Sequence, residues 1–130
     1  MSILLFNFTH MKKKIAILGS TGSIGKSTID ILKKNKKDFD LVLLTTNRNY
    51  KELYKQAKIF NVKNLIITND DSYNLFRKKF KNKKIRVFND FSCLNKILKK
   101  KIDYSMSAIS GLDGLEPTLK IIKFSKKIAV

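Results

Sequence analysis

Cysteine, proline, histidine and carboxylates are all scarce in this sequence. A single cysteine, Cys93, excludes a disulfide framework and an all-cysteine metal cage, and it fits a reducing, cytoplasmic setting. One proline and five glycines in 130 residues exclude a collagen-like chain or a low-complexity linker. No apolar run approaches the ~20 residues that a bilayer crossing needs, so no membrane partner is expected. What remains is a chain that is 43% hydrophobic. That is enough for one globular domain burying roughly two thirds of its unfolded surface.

Acidic residues number 10 against 28 basic ones, a formal net charge of +18. Such an excess suggests a nucleic-acid or anionic-surface binder. The composition argues otherwise. All but three of the basic residues (Arg48, Arg77 and Arg86) are lysine, whereas base readout and bidentate phosphate recognition favour arginine's planar fork. The lysines are spread along the chain and accompany abundant Asn and Ile, as an AT-rich coding sequence would produce. Solvated lysine faces are therefore the preferred reading, with no nucleic-acid partner; a lysine-rich nucleic-acid module is the alternative.

Residues 1–11 read as a disordered N-terminal extension. Their short apolar stretch precedes the lysines Lys12 to Lys14, the reverse of a secretory signal, and Met11 offers a second start. His10, the only histidine, lies here and is not a favoured base or metal ligand.

From residue 12 to 130 short apolar runs alternate with helix-period stretches, the mark of α/β units on a parallel sheet. Strands are expected at Ile15 to Leu18, Phe39 to Thr45, Leu65 to Ile67, Ile85 to Phe88, Ile102 to Ile109 and from Ile128 onward. Between them, helices should carry Ile24, Thr28, Ile31 and Leu32; then Leu53, Ala57 and Phe60; then Leu75, Phe76 and Phe80, capped by Asp70 or Asp71. A fourth helix should carry Cys93, Leu94, Ile97 and Leu98, and a fifth should run from about Leu115 to Phe124. Pro117 suits that last helix's first turn. The final strand stops at Val130, which suggests a truncated gene or an expressed piece of a longer one.

The strongest motif is Gly19-Ser20-Thr21-Gly22-Ser23-Ile24-Gly25, set between the first strand and the first helix. Glycines there allow a sharp turn, close approach of a phosphate and close helix–strand packing. The helix N-terminus then faces a diphosphate with free N–H groups. A tight turn without a ligand is the competing reading. About 20 residues further on, where an NAD site would carry Asp or Glu on the ribose, the sequence reads Thr45-Thr46-Asn47-Arg48-Asn49. Arg48 can pair with a 2′-phosphate, which points to NADP; otherwise it is one more surface cation.

Two similarities fail on spacing. Gly19 to Ser27 has five residues, not four, between its first glycine and Gly25-Lys26, so it is no phosphate-binding loop of a nucleoside triphosphatase. Asp103, moreover, opens its strand instead of closing it. Tyr54 and Lys58 match a dehydrogenase Tyr-x-x-x-Lys pair, but they fall too early in the chain and read as helix-face residues.

From about Lys13 to Val130 the chain resembles the N-terminal domain of the 1-deoxy-D-xylulose 5-phosphate reductoisomerase family. The most specific segments are Ile15 to Thr28 (IAILGSTGSIGKST) and Ala108 to Thr118 (AISGLDGLEPT). The resemblance implies a Rossmann-like, doubly wound, mainly parallel α/β sheet flanked by helices over residues 12–130, truncated at its C-terminal end. It implies an NADPH-dependent conversion of 1-deoxy-D-xylulose 5-phosphate to 2-C-methyl-D-erythritol 4-phosphate in non-mevalonate isoprenoid synthesis. By position, Thr21, Gly22, Ser23 and Ile24 would contact the NADPH diphosphate. Asn47, Arg48 and Asn49 would hold the 2′-phosphate, and Ala108 to Gly111 would lie near the nicotinamide. Many relatives have Gly and Lys where this chain has Asn47 and Arg48; the arginine keeps the charge.

The family's Ala-Asn-Lys-Glu segment, its carboxylates for a divalent metal (Mg or Mn), its substrate-phosphate groups and its lid are not in these 130 residues. No catalytic residue and no metal ligand is therefore assigned, and this piece alone is expected to be inactive. The whole enzyme would act on a small-molecule substrate as a cytoplasmic homodimer. Another NADP-dependent dehydrogenase or epimerase domain is the alternative within enzymes.

Overall fold

A computed structural model describes residues 11–130. Six strands, β1 (Lys13–Leu18), β2 (Phe39–Thr46), β3 (Asn64–Ile67), β4 (Arg86–Phe88), β5 (Ile102–Ser107) and β6 (Ser125–Ala129), form one sheet in the order β4-β3-β2-β1-β5-β6. Every neighbouring pair is parallel. The chain therefore winds outward from β1 in one direction and then, from β5, in the other.

Parallel strands need crossover connections, and helices supply them on both faces. The helices are α1 (Ser23–Lys34), α2 (Tyr50–Phe60), α3 (Asp70–Lys79), the single turn α4 (Leu94–Ile97) and α5 (Leu115–Ile122). Alternation along β1 shows how the two faces are filled. Ile15 and Ile17 join Leu41, Leu44, Leu65 and Ile67 under α1, α2 and α3. Ala16 and Leu18 join Leu43, Ile66, Leu94 and Ile121 on the opposite side. Apolar side chains on both faces explain why β1 reads as a near-continuous hydrophobic run. Among the described residues no helix is long and apolar enough to cross a membrane.

Several boundaries differ from expectation for local reasons. Asn69, not Asp70 or Asp71, caps α3: its side chain accepts from the Ser72 N–H at 2.9 Å. The two aspartates occupy the first turn instead, where negative charge meets the helix's positive end. The inward face of α1 is Gly25, Ile29 and Leu32, while Ile24 and Ile31 are exposed, as is Leu75 on α3. The expected helix around Cys93 is a 3-10 turn, Phe91–Cys93, followed by the single turn α4. β5 ends at Ser107, α5 at Ile122, and β6 begins at Ser125, earlier than Ile128. The expected N-terminal extension, with His10, lies outside the described residues except for Met11.

Two outcomes follow for stability and reactivity. Ile17 is fully buried, so Ile17→Ala should lower the unfolding free energy by about 2–5 kcal/mol in urea titration. Burial of Cys93 pushes its thiol from 9.0 up to about 11. The folded state therefore holds the thiol neutral, a contribution fully present below pH 9 and lost as pH rises through about 11. Alkylation at pH 8 should be about a hundredfold slower in the folded chain than in urea.

Candidate functional site

The C-terminal ends of the strands open into a groove of about 860 Å³, at the point where the winding direction reverses between β1 and β5. That switch point is where open α/β sheets place their ligands. Its lining comes from the glycine loop after β1, residues Thr45 to Asn49 at the end of β2, Thr68 after β3, Asp90 and Phe91 after β4, Ala108 to Ser110 after β5, and α5 with the turn before it, from Leu112 to Lys120.

The glycine loop is pinned from below. Gly19 adopts φ +73°, a backbone conformation that a side chain disfavours. Its N–H donates to Thr45 Oγ1 at 2.9 Å, and the Ser20 N–H donates to the Thr45 carbonyl at 3.0 Å. The Thr21 and Thr46 hydroxyls share a 2.6 Å hydrogen bond. A Cβ on Gly25 would strike the Gly19 carbonyl oxygen and stand 2.6 Å from the Ser20 carbonyl carbon, so only glycine lets α1 come this close to β1.

Gly22 is different. Its φ of −75° is open to any residue, and an added Cβ would meet only the Gly19 carbonyl oxygen at an ordinary 3.7 Å. The fold itself does not demand glycine there. Gly22 lines the groove and is the N-cap of α1, which has no side-chain cap and no acidic residue in its first turn. The opening N–H groups of α1, those of Ser23 and Ile24 among them, are left for an anion, with the helix dipole behind them.

The second candidate cluster sits at the end of β2. Asn47, Arg48 and Asn49 are all exposed and all line the groove. Asn47 Nδ2 donates to Thr68 Oγ1 at 2.9 Å, and Arg48 Nε donates to Asn47 Oδ1 at 3.3 Å. The Asn49 side-chain oxygen is already used: it caps α2 by accepting from the Glu52 N–H at 3.2 Å. Ion pairs among the described residues join Lys33 to Asp30, Lys120 to Glu116 and Lys126 to Asp103. Arg48 meets no carboxylate among them.

Ile109 explains the second sequence segment. A Cβ on Gly19 would stand 2.9 Å from Ile109 Cγ1, and one on Gly114 would stand 2.5 Å from the Ile109 carbonyl oxygen. Two glycines thus clamp one isoleucine and fix the groove wall after β5. Tyr54 and Lys58 lie on α2, where the Lys58 ammonium sits 4.8 Å over the Tyr54 ring and that ring stacks on Phe80 at 4.0 Å. They do not line the groove. Asp90, exposed at the rim, is held below the usual carboxylate range by hydrogen bonds from Ser92. Among the described residues no group of three His, Cys, Asp or Glu could hold a metal ion.

An all-parallel doubly wound sheet, with an uncapped helix N-terminus at its switch point, defines a Rossmann-like α/β domain. The model of the 1-deoxy-D-xylulose 5-phosphate reductoisomerase family matches residues 15–130. A reductoisomerase of Pelagibacter ubique is 59% identical over 120 residues, covering 91% of this chain and 31% of that relative. One from Porphyromonas gingivalis is 40% identical, covering 92% and 31%. Among solved structures, the Zymomonas mobilis reductoisomerase in complex with NADPH superposes with a TM-score of 0.80 at 31% identity, over 91% of this chain and 31% of that one. A reductoisomerase in complex with NADPH, fosmidomycin and magnesium gives 0.77 at 27% identity, covering 89% and 29%. The chain belongs to the 1-deoxy-D-xylulose 5-phosphate reductoisomerase family and spans about a third of the length of the relatives it matches.

The two loop glycines should behave oppositely. Gly25→Ala should lose about 3 kcal/mol or more, because backbone cannot move aside. Gly22→Ala should stay within about 1 kcal/mol of the parent. Thermal melts of both variants measure the contrast.

Proposed function

We propose that this chain is the NADPH-holding portion of a 1-deoxy-D-xylulose 5-phosphate reductoisomerase. The observation that carries the reading is Gly22, a glycine that the fold does not need, at an uncapped helix N-terminus beside an arginine that meets no carboxylate among the described residues. The first feature suits a diphosphate and the second suits a 2′-phosphate. No carboxylate occupies Thr45 to Asn49, where an NAD site would place one.

In this reading Thr21, Ser23 and Ile24 bind the diphosphate through backbone N–H groups, and Gly22, whose own N–H donates to the Gly19 carbonyl at 3.3 Å, lets it approach the main chain. Asn47 and Arg48 bind the 2′-phosphate, and Asn49 contributes its amide nitrogen while its oxygen holds α2. Ala108 to Gly111 form the wall near the nicotinamide. NADPH, when bound, supplies the hydride of the reduction; the residues here bind and orient it. The described residues fit no metal centre, so magnesium or manganese would belong to a part of the enzyme beyond this chain, together with the substrate site. The reading also includes a cytoplasmic location, supported by the lone buried thiol, and a homodimeric whole enzyme, which rests on the resemblance alone. No nucleic-acid partner is part of it.

Fluorescence titration tests it. The chain should bind NADPH more tightly than NADH, and Arg48→Glu should weaken NADPH by about tenfold or more while sparing NADH. Equal affinities in the parent chain would defeat the assignment. The chain alone should not consume NADPH when given 1-deoxy-D-xylulose 5-phosphate and magnesium.

A further inference from the structure

We infer that Gln56 of α2 is a positioning residue for the glycine loop: it holds the Ser20 carbonyl and thereby turns the Thr21 N–H toward the groove. The inference rests on the nucleotide reading above.

Gln56 is 1% exposed, on the face of α2 that also buries Leu53, Ala57 and Phe60. Its Nε2 donates to the Ser20 carbonyl at 3.0 Å and to Glu52 Oε2 at 3.2 Å. Both partners can only accept, so the nitrogen must face them and the amide has one orientation. Its Oε1 is then buried without a partner among the described residues. Buried polar atoms are almost always paired, so such an orphan asks for a reason. An apolar side chain of the same length would fill this position with no orphan. It could not donate to Ser20.

Ser20 is held at both ends. Its N–H donates to the Thr45 carbonyl of β2, and its carbonyl accepts from α2. The Ser20–Thr21 peptide is trans and planar, so its carbonyl and the following N–H point in opposite directions. With the carbonyl facing buried Gln56, the Thr21 N–H faces the other way, and Thr21 lines the groove. Among the described residues that N–H meets no acceptor. Glu52 braces the Gln56 amide one turn away, and its own N–H donates to Asn49 Oδ1. A continuous path of hydrogen bonds therefore joins the end of the arginine-bearing segment to the loop that faces the diphosphate.

Gln56→Met keeps the side chain's length and removes the donor; Gln56→Leu serves if the first variant does not fold. Either change removes one orphan and leaves the Ser20 carbonyl unpartnered, opposing terms that should keep the melting temperature near the parent's. NADPH affinity should fall about tenfold, the effect of losing one hydrogen bond to a charged group. The Thr21 amide resonance, shifted by NADPH in the parent chain, should move far less in the variant at saturating NADPH. A crystal structure of the free variant should show the Ser20–Thr21 peptide turned from its parent orientation. Unchanged affinity, an unchanged Thr21 shift or an unmoved peptide in a folded variant would overturn the inference. A parent chain that fails to bind NADPH would show itself before any variant is compared; it would defeat the nucleotide reading and this inference with it.

Discussion

The approach of α1 to the end of β1 sets the geometry on which the groove depends. At Gly25 the helix lies against the Gly19 and Ser20 backbone so closely that a single methyl group has no room. That contact aims the axis of α1 at the switch point, and with it the helix's uncompensated N–H groups. A positive φ at Gly19 lets the chain leave the strand and enter the helix within a few residues. Thr45 then accepts from the N–H groups of both Gly19 and Ser20, which ties the turn to the neighbouring strand. Close packing and a set of free N–H groups at the groove are thus two consequences of one backbone arrangement. Ser20, Gly25 and Thr45, which enforce it, are buried, whereas Gly22, Ser23 and Ile24 at the helix start are exposed.

Different physics accounts for what was legible in the residues alone. The sheet was readable because β1, β2 and β3 are buried on both faces along residues 15–18, 41–44 and 65–67, which are therefore apolar throughout. The glycine loop was readable because three glycines at that spacing, between a strand and a helix, have few other uses. Helix faces were less so: Ile24 and Ile31 share the spacing of a buried stripe, yet the inward face is Gly25, Ile29 and Leu32. A glycine does not register as a core residue in a hydrophobic pattern, although here the closest packing occurs at one. Asn69 was hidden beside two aspartates, each an equally good cap on chemistry alone, because only the helix's actual first residue decides among them.

Gln56 and Ile109 mark the limit of pattern reading. A glutamine within the Leu53, Ala57 and Phe60 stripe is the one signal that could have drawn attention to α2, since a buried amide must have a partner somewhere. Which partner could not be known, because Ser20 lies 36 positions away along the chain. Ile109 looked like the end of a strand. Its role appears only when Gly19 and Gly114 are seen on either side of it. The stretch from Ala108 to Gly114, ahead of α5, could not be read from helix or strand rules alone because its constraints come from that clamp.

Charge is arranged with the same economy of place. The net +18 of the chain does not by itself make the groove a phosphate site, because the lysines are distributed over the solvated surface and their fields are screened over about 8–10 Å. What distinguishes the groove is charge in fixed positions: helix dipole, backbone N–H groups and one arginine braced by Asn47. Fixed donors lose little freedom when a ligand arrives, whereas a flexible lysine must be immobilised first. Asp90, Asp113 and Glu116 stand along the same groove, so the groove is not uniformly positive. A polyanion laid along it would meet repulsion as well as attraction. A ligand with two separated anionic groups and an uncharged remainder would meet less of that repulsion, and the proposed NADPH has that pattern.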